Sequence, residues 1–153
     1  KRYNVVGYSR GSIITARLLV LDNRIKDAVL GGMGTDFTNP MWPRRLMFYH
    51  ALMDDSIPDL NICVDNVQRQ TLAHLASSCF QPSQPSTSKE ALSKITNLVL
   101  VICGDQDADN GSATELAKLI PNSTLATVPG DHNHASATPE FSGEVISFFQ
   151  KNN

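Results

Sequence analysis

The chain has 153 residues, 41% of them hydrophobic and only 18% charged, with a formal net charge of −2. The length suits one domain with a sizeable core, and the charge content lies below the usual level of about a quarter. Disordered, collagen-like and coiled-coil classes are therefore excluded, mild acidity argues against electrostatically driven nucleic-acid binding, and no apolar run reaches the ~18 residues of a membrane span.

The chain opens Lys1-Arg2-Tyr3-Asn4, without methionine, and runs straight into a short strand, Tyr3 to Val6, apolar on both faces. Gly7 to Gly11 is a turn. Ser12 to Val20 reads as a helix with Ile13, Ala16, Leu19 and Val20 on one stripe. Asp22-Asn23 is turn chemistry. Asp27 to Leu30 is a second strand, closed by Gly31-Gly32-Met33-Gly34. A strand–helix–strand rhythm is the mark of a parallel sheet.

Residues 35–94 interrupt that rhythm. Arg44 to Met53 and Asn61 to Ser78 read as helices, and a Ser/Pro-rich stretch, Gln81 to Ser88, follows. Thr87-Ser88-Lys89-Glu90 fits a capping box for one more short helix. Sixty residues are too many for an ordinary connection, so the segment reads as a helical insertion. The rhythm resumes at Leu98 to Cys103, an unbroken apolar run that implies a strand buried on both faces. A helix over Ser112 to Leu119 and a strand over Thr124 to Val128 follow. The last helix begins at Pro139 with Thr138 as N-cap, and Phe141, Val145, Phe148 and Phe149 give it one apolar face. The expected class is α/β, a mostly parallel sheet flanked by helices, with the insertion apart.

Three cysteines, Cys63, Cys79 and Cys103, with no CxxC, make neither a disulfide framework nor a zinc site. Cys103 ends the most apolar run and reads as a buried thiol. A Cys63–Cys79 bridge is the minority alternative. Two short Asn-x-Ser/Thr matches, at Asn110 and Asn122, carry no weight. The compartment stays open, with the cytoplasm favoured.

Chemistry gathers at three strand ends. Gly7-Tyr8-Ser9-Arg10-Gly11 is a G-x-S-x-G sequence with a strand before it and a helix after it. Glycines there give room where a side chain would meet neighbouring backbone, and the turn holds the serine hydroxyl at the positive end of the helix. The backbone N–H of Arg10 can donate to a developing oxyanion. The bland alternative is an ordinary glycine-flanked turn. The strongest strand is followed by Gly104-Asp105-Gln106-Asp107-Ala108-Asp109, where a carboxylate stands at the carboxyl end of a parallel strand. A solvated acidic loop capping the next helix accounts for at least two of those three acids. The fourth strand is followed by Pro129-Gly130-Asp131-His132-Asn133-His134, and histidine is the side chain suited to proton transfer near neutral pH. Two histidines in one loop also suggest a metal, but no third ligand stands at useful spacing; no metal or cofactor is expected. Serine is a weak nucleophile that needs a base, and the base needs an orienting acid. The order Ser, Asp, His, each just after a strand, supplies all three.

In that combination the chain resembles the α/β-hydrolase fold superfamily, from the nucleophile elbow onward. The elbow matches Gly7 to Gly11. The family's acid commonly lies in a G-x-x-D turn, which implies Asp107 rather than Asp105. The family's histidine often follows Pro-Gly and precedes a Pro-Glu or Pro-x-Phe helix start, which implies His132 rather than His134. Val29 to Gly34 resembles the strand and turn before the family's cap, so 35–94 would be the cap and 1–34 with 95–153 the core. The resemblance implies a serine hydrolase cleaving an ester or similar acyl bond through Ser9, His132 and Asp107, with the Arg10 N–H in the oxyanion hole. Met33, Trp42, Phe48 and Tyr49, with Met47 beside them, would shape an apolar pocket for a small acyl substrate; ordinary helix packing is the competing reading for each aromatic.

Two departures qualify it. Arg10 is bulkier than the residue most members carry after the serine. The family's first strands have no counterpart here, and with them goes the loop that supplies the second oxyanion donor. The chain is accordingly expected to be a fragment, inactive alone. Its missing amino-terminal half would be part of the same chain before cleavage, or supplied by another chain. A non-catalytic binding protein, a thioesterase, a C–C hydrolase and an acyltransferase are the alternatives that the fold also hosts.

Overall fold

The computed structural model describes residues 1–54 and 86–152. The chain divides into two compact units, Lys1–Thr38 with Thr87–Asn153, and Asn39–Ser86. The smaller contains helix α2, Pro43–Asp54. The predicted helix Asn61 to Ser78 and the Cys63–Cys79 pair lie outside the described residues.

The larger unit runs β1 (Tyr3–Tyr8), α1 (Arg10–Leu21) and β2 (Ile25–Gly31), with a 3-10 turn at Asp36–Thr38. After Thr87 come α3 (Lys89–Leu92), β3 (Leu98–Gly104), α4 (Ala113–Leu119), β4 (Ser123–Val128), a 3-10 turn at Ala135–Ala137, and α5 (Pro139–Lys151). The four strands form a parallel sheet in the order β1-β2-β3-β4. Gly7 lies beside Leu30, Leu30 beside Val101 and Val101 beside Leu125, so the carboxyl ends of all four strands finish at one edge of the sheet. The central strands are the buried ones: Ala28, Val29, Leu30, Val99, Val101 and Ile102 are fully buried. That is why β3 carries a continuous apolar run and β2 carries Ala28-Val29-Leu30 at its middle.

Because the strands advance in one direction, right-handed crossovers place α1 and α4 on the same face. On the other face, α5 buries Phe141 and Phe148 against Val29, Leu100, Ile102, Val128 and Ala135, with Val145 and Phe149 at the margin. The division between units falls at Thr38 and Thr87, inside the predicted 35–94 insertion, and Phe37 and Leu92 of the larger unit are fully buried.

Three local expectations are corrected. The buried face of α1 is Ser12, Thr15, Ala16 and Leu19, and Val20 is 40% exposed. An apolar-period reading misses Ser12 because its hydroxyl is satisfied inside the protein, donating to Gly31 O at 2.7 Å with Gly7 O at 3.0 Å. The cap of α3 is Ser88, which accepts from the Ala91 N–H, rather than Thr87. The cap of α4 is Ser112, which accepts from the Glu115 N–H, so no acid of the preceding loop caps that helix.

Among the described residues β1 has one sheet neighbour, β2. Its Tyr3 and Val6 are 41% and 52% exposed. No helix among them is long and apolar enough to cross a membrane. The amino-terminal end of α5 matches the expectation in detail: Pro139 is its first residue, and Thr138 Oγ1 accepts from the Phe141 N–H at 3.2 Å. Thr138→Ala is expected to cost about 1 kcal/mol and to lower the melting temperature by about 2–4 °C, read from thermal unfolding followed by circular dichroism.

Candidate active site

Ser9 stands between β1 and α1 with φ 51° and ψ −119°. Among the described residues it is the one non-glycine with positive φ. Two backbone bonds hold this conformation: the Ser9 N–H donates to Gly31 O at 2.8 Å, and Ser9 O accepts from the Ser12 N–H at 2.9 Å. The two flanking glycines are not equivalent. A Cβ on Gly7 would run into the Gly11 carbonyl and the Thr15 hydroxyl, whereas one on Gly11 would meet nothing within 4 Å. The expectation that both make room is therefore corrected at Gly11. Arg10 is the first residue of α1.

Asp107 follows β3 and His132 follows β4. The structure brings both to Ser9, although they lie far away in sequence. His132 Nδ1 is 2.9 Å from Asp107 Oδ2, and His132 Nε2 is 2.8 Å from Ser9 Oγ. With a carboxylate at Nδ1, that nitrogen carries the proton and Nε2 is left to accept from the Ser9 hydroxyl. The Asp107 side chain is 2% exposed and that of His132 14%. The remaining Asp107 oxygen accepts from the Asp109 N–H at 3.3 Å.

The neighbouring acids and the second histidine have other tasks. Asp105 accepts from the Gly130 N–H at 2.9 Å, tying the β3 loop to the β4 loop. His134 turns to Asp131, Nδ1 to Oδ1 2.6 Å, with its side chain 78% exposed. The His134 bond holds the Asp131 carboxyl below its usual range. Asp107, Asp109 and His132 could offer ligand atoms within 4.8 Å of one another. A cation there would have to displace the Nδ1 proton that bonds Asp107. Cys103 is buried beneath the loop; burial, reinforced by the Asp107 charge, pushes its thiol up to about 12, so it stays protonated.

Of the proposed pocket residues, Met33 is buried in the larger unit. Trp42, Phe48 and Tyr49 belong to the smaller unit. There the Arg44 guanidinium lies over the Phe48 ring at 5.3 Å, and Tyr49 meets the His50 ring edge-on at 5.3 Å.

Two residues that sequence reasoning passed over join the site. Asn110 is buried; its Nδ2 donates to Gly32 O at 2.9 Å and lies 3.4 Å from His132 Nδ1. Its backbone carbonyl accepts from the N–H groups of Gly34 and Asp36 at 3.1 and 3.3 Å. Asn110 thus locks the loop after β3 to the loop after β2. Tyr8 donates its hydroxyl to the backbone carbonyl of His132 at 2.7 Å. The available signals were an aromatic inside the G-x-S-x-G sequence and an asparagine just before a glycine in the acid loop. Neither names a partner.

The glycine geometry predicts opposite outcomes for two similar substitutions. Gly7→Ala should destabilise by about 1–3 kcal/mol, as overpacking does. Gly11→Ala should be neutral or stabilising by up to about 1 kcal/mol, through helix propensity and a less free unfolded chain. Urea unfolding of the two variants beside the parent compares them directly.

No protein-family model and no curated protein matches the chain. Solved structures do. A hydrolase from Pseudomonas aeruginosa PA01 superposes with TM-score 0.70 at 21% identity, covering 97% of this chain and 64% of its own. MenH from S. aureus gives 0.68 at 18% identity, covering 99% and 69%. An enol-lactonase from Burkholderia xenovorans LB400 gives 0.66 at 20% identity, covering 97% and 66%. The chain therefore spans about two thirds of the length of these structures. All are α/β-hydrolase fold proteins. The parallel sheet, the sharp turn at Ser9 and these superpositions agree, and the chain has the α/β-hydrolase fold.

Proposed function

We propose that this chain carries the reacting residues of a serine hydrolase acting on an ester or similar acyl bond. One observation carries the reading: Ser9 Oγ, the His132 ring and the Asp107 carboxylate form an unbroken chain of hydrogen bonds, 2.8 and 2.9 Å long.

The chemistry follows from that order. The Ser9 oxygen attacks the acyl carbonyl while its proton passes to His132 Nε2. Asp107, held by its own bonds, keeps the imidazole in the accepting tautomer and stabilises the imidazolium. The oxyanion accepts the backbone N–H of Arg10, in the first turn of α1, at the positive end of that helix. His132 then returns the proton to the leaving group. Water, deprotonated by the same ring, cleaves the acyl-enzyme and restores Ser9.

A second oxyanion donor belongs, in this reading, to a segment that pairs with the edge of β1 away from β2, which has no strand neighbour among the described residues and where Tyr3 and Val6 are exposed. An unpaired strand edge is a template for such pairing, and one missing donor costs roughly 100- to 1000-fold in rate. Esterase-like turnover by a stable 16.7 kDa monomer would defeat that assignment.

In the complete protein, Ser9→Ala should abolish hydrolysis of a short nitrophenyl ester, a loss on the order of 10⁶-fold in kcat. Labelling by a fluorophosphonate probe should vanish with it. Asp107→Asn should lose about 10⁴-fold through the wrong tautomer. Unchanged turnover in Ser9→Ala defeats the nucleophile. A parent protein that neither turns over esters nor takes the probe would favour the non-catalytic binding alternative.

A further inference from the structure

We propose that Tyr8 is a positioning residue that sets the orientation of His132 and stabilises its charged form. The proposal rests on the serine-hydrolase reading above.

Tyr8 ends β1, immediately before Ser9. It grips His132 twice. Its hydroxyl donates to the His132 backbone carbonyl at 2.7 Å. Its ring lies under the imidazole, centroids 5.5 Å apart and planes 29° from parallel. A cation within about 6 Å of an aromatic centroid, over the ring face, is attracted by the ring's quadrupole. The same contact therefore favours the imidazolium that forms during proton transfer from Ser9. The hydroxyl remains a donor throughout the working range, because burial, with the Asp107 charge adding to it, pushes it up to about 12.

The fold is shaped to keep the ring there. Phe141 of α5 meets the Tyr8 ring edge-on at 5.6 Å. On another side the ring occupies the space left by Gly31 and Gly32: a Cβ on Gly31 would stand 2.8 Å from Tyr8 Cδ2, and one on Gly32 2.7 Å from Tyr8 Cζ. The glycine pair that closes β2 thus leaves the space this ring needs. Ser9 and Tyr8 are adjacent on one turn, so a single backbone segment fixes both the nucleophile and the support of its base.

Charged side chains near His132 among the described residues include Asp107, at Nδ1, Asp109, which shares the 4.8 Å cluster, and Asp131, the preceding residue, whose carboxylate turns to His134. All are present in the parent and in both Tyr8 variants, so a difference between variants reads the change made at Tyr8.

The test uses the complete protein, with Tyr8→Leu, which removes ring and hydroxyl, and Tyr8→Phe, which removes only the hydroxyl. Tyr8→Leu should lower kcat about 100-fold, the scale set by a misplaced catalytic group, with KM within about twofold because no substrate contact is lost. Tyr8→Phe should lose about three- to tenfold, one hydrogen bond's net worth. The second readout needs no turnover: the NMR titration of the His132 imidazole, assigned by its disappearance in His132→Gln. Its midpoint should fall in Tyr8→Leu and stay near that of the parent in Tyr8→Phe. An unchanged kcat in Tyr8→Phe together with an unchanged His132 titration in Tyr8→Leu overturns the proposal. If Tyr8→Leu does not fold, Tyr8→Phe decides alone, and an unchanged kcat and unchanged His132 line positions overturn it. Full turnover in Ser9→Ala would sink the hydrolase reading instead, and leaves the NMR comparison standing.

Discussion

Ser9 occupies a backbone conformation that costs on the order of 1–3 kcal/mol, and such a residue persists only where its surroundings over-determine it. Here the surroundings converge on one carbonyl. Gly31 O accepts both the Ser9 N–H and the Ser12 hydroxyl, at 2.8 and 2.7 Å. Gly31 is in turn the last residue of β2, a central strand paired on both sides and buried at every residue but Lys26. The strain at the turn is therefore carried by a buried strand with a neighbour on each side. The result is a hydroxyl held clear of the sheet, in reach of a ring that comes from three strands away.

The same strand end reaches the other two reacting groups. Gly32 N–H donates to Ile102 O at 2.9 Å, and Gly32 O accepts from Asn110, which sits in the Asp107 loop. Gly34 and Gly111 approach so closely that a Cβ on Gly34 would overlap the Gly111 carbonyl. Asp105 completes the circuit by binding the Gly130 N–H ahead of His132. Each loop is tied to its neighbour by main-chain or side-chain hydrogen bonds. This closure lets three residues from three loops meet at hydrogen-bond distance.

What could be read from the sequence, and what could not, follows from range. Leu98 to Cys103 announced a buried central strand because burial on both faces leaves a contiguous apolar run. Thr138-Pro139 announced the start of α5 because capping is local chemistry. Ser9, Asp107 and His132 stood out because each follows a strand, and in a parallel sheet those ends must converge. Tyr8 and Asn110 were invisible for the opposite reason. Their partners lie 124 and 78 positions away, and nothing local to a tyrosine or an asparagine names a distant carbonyl. Ser12 was misjudged because a buried hydroxyl with two acceptors behaves like part of the core, which hydropathy does not record.

β1, β3 and β4 each lead into one member of the Ser9–Asp107–His132 set, whereas β2 leads into none. Yet β2 ends in the two glycines on which the turn at Ser9 and the Tyr8 ring both rest. A related chain could keep the serine, the acid and the histidine, carry a side chain in place of Gly31, and look complete to any search for reacting residues. Its nucleophile and base would nonetheless be held apart. In this architecture the silent strand is the better witness: an intact glycine pair after the second strand says more about whether the three groups can meet than the three groups say themselves.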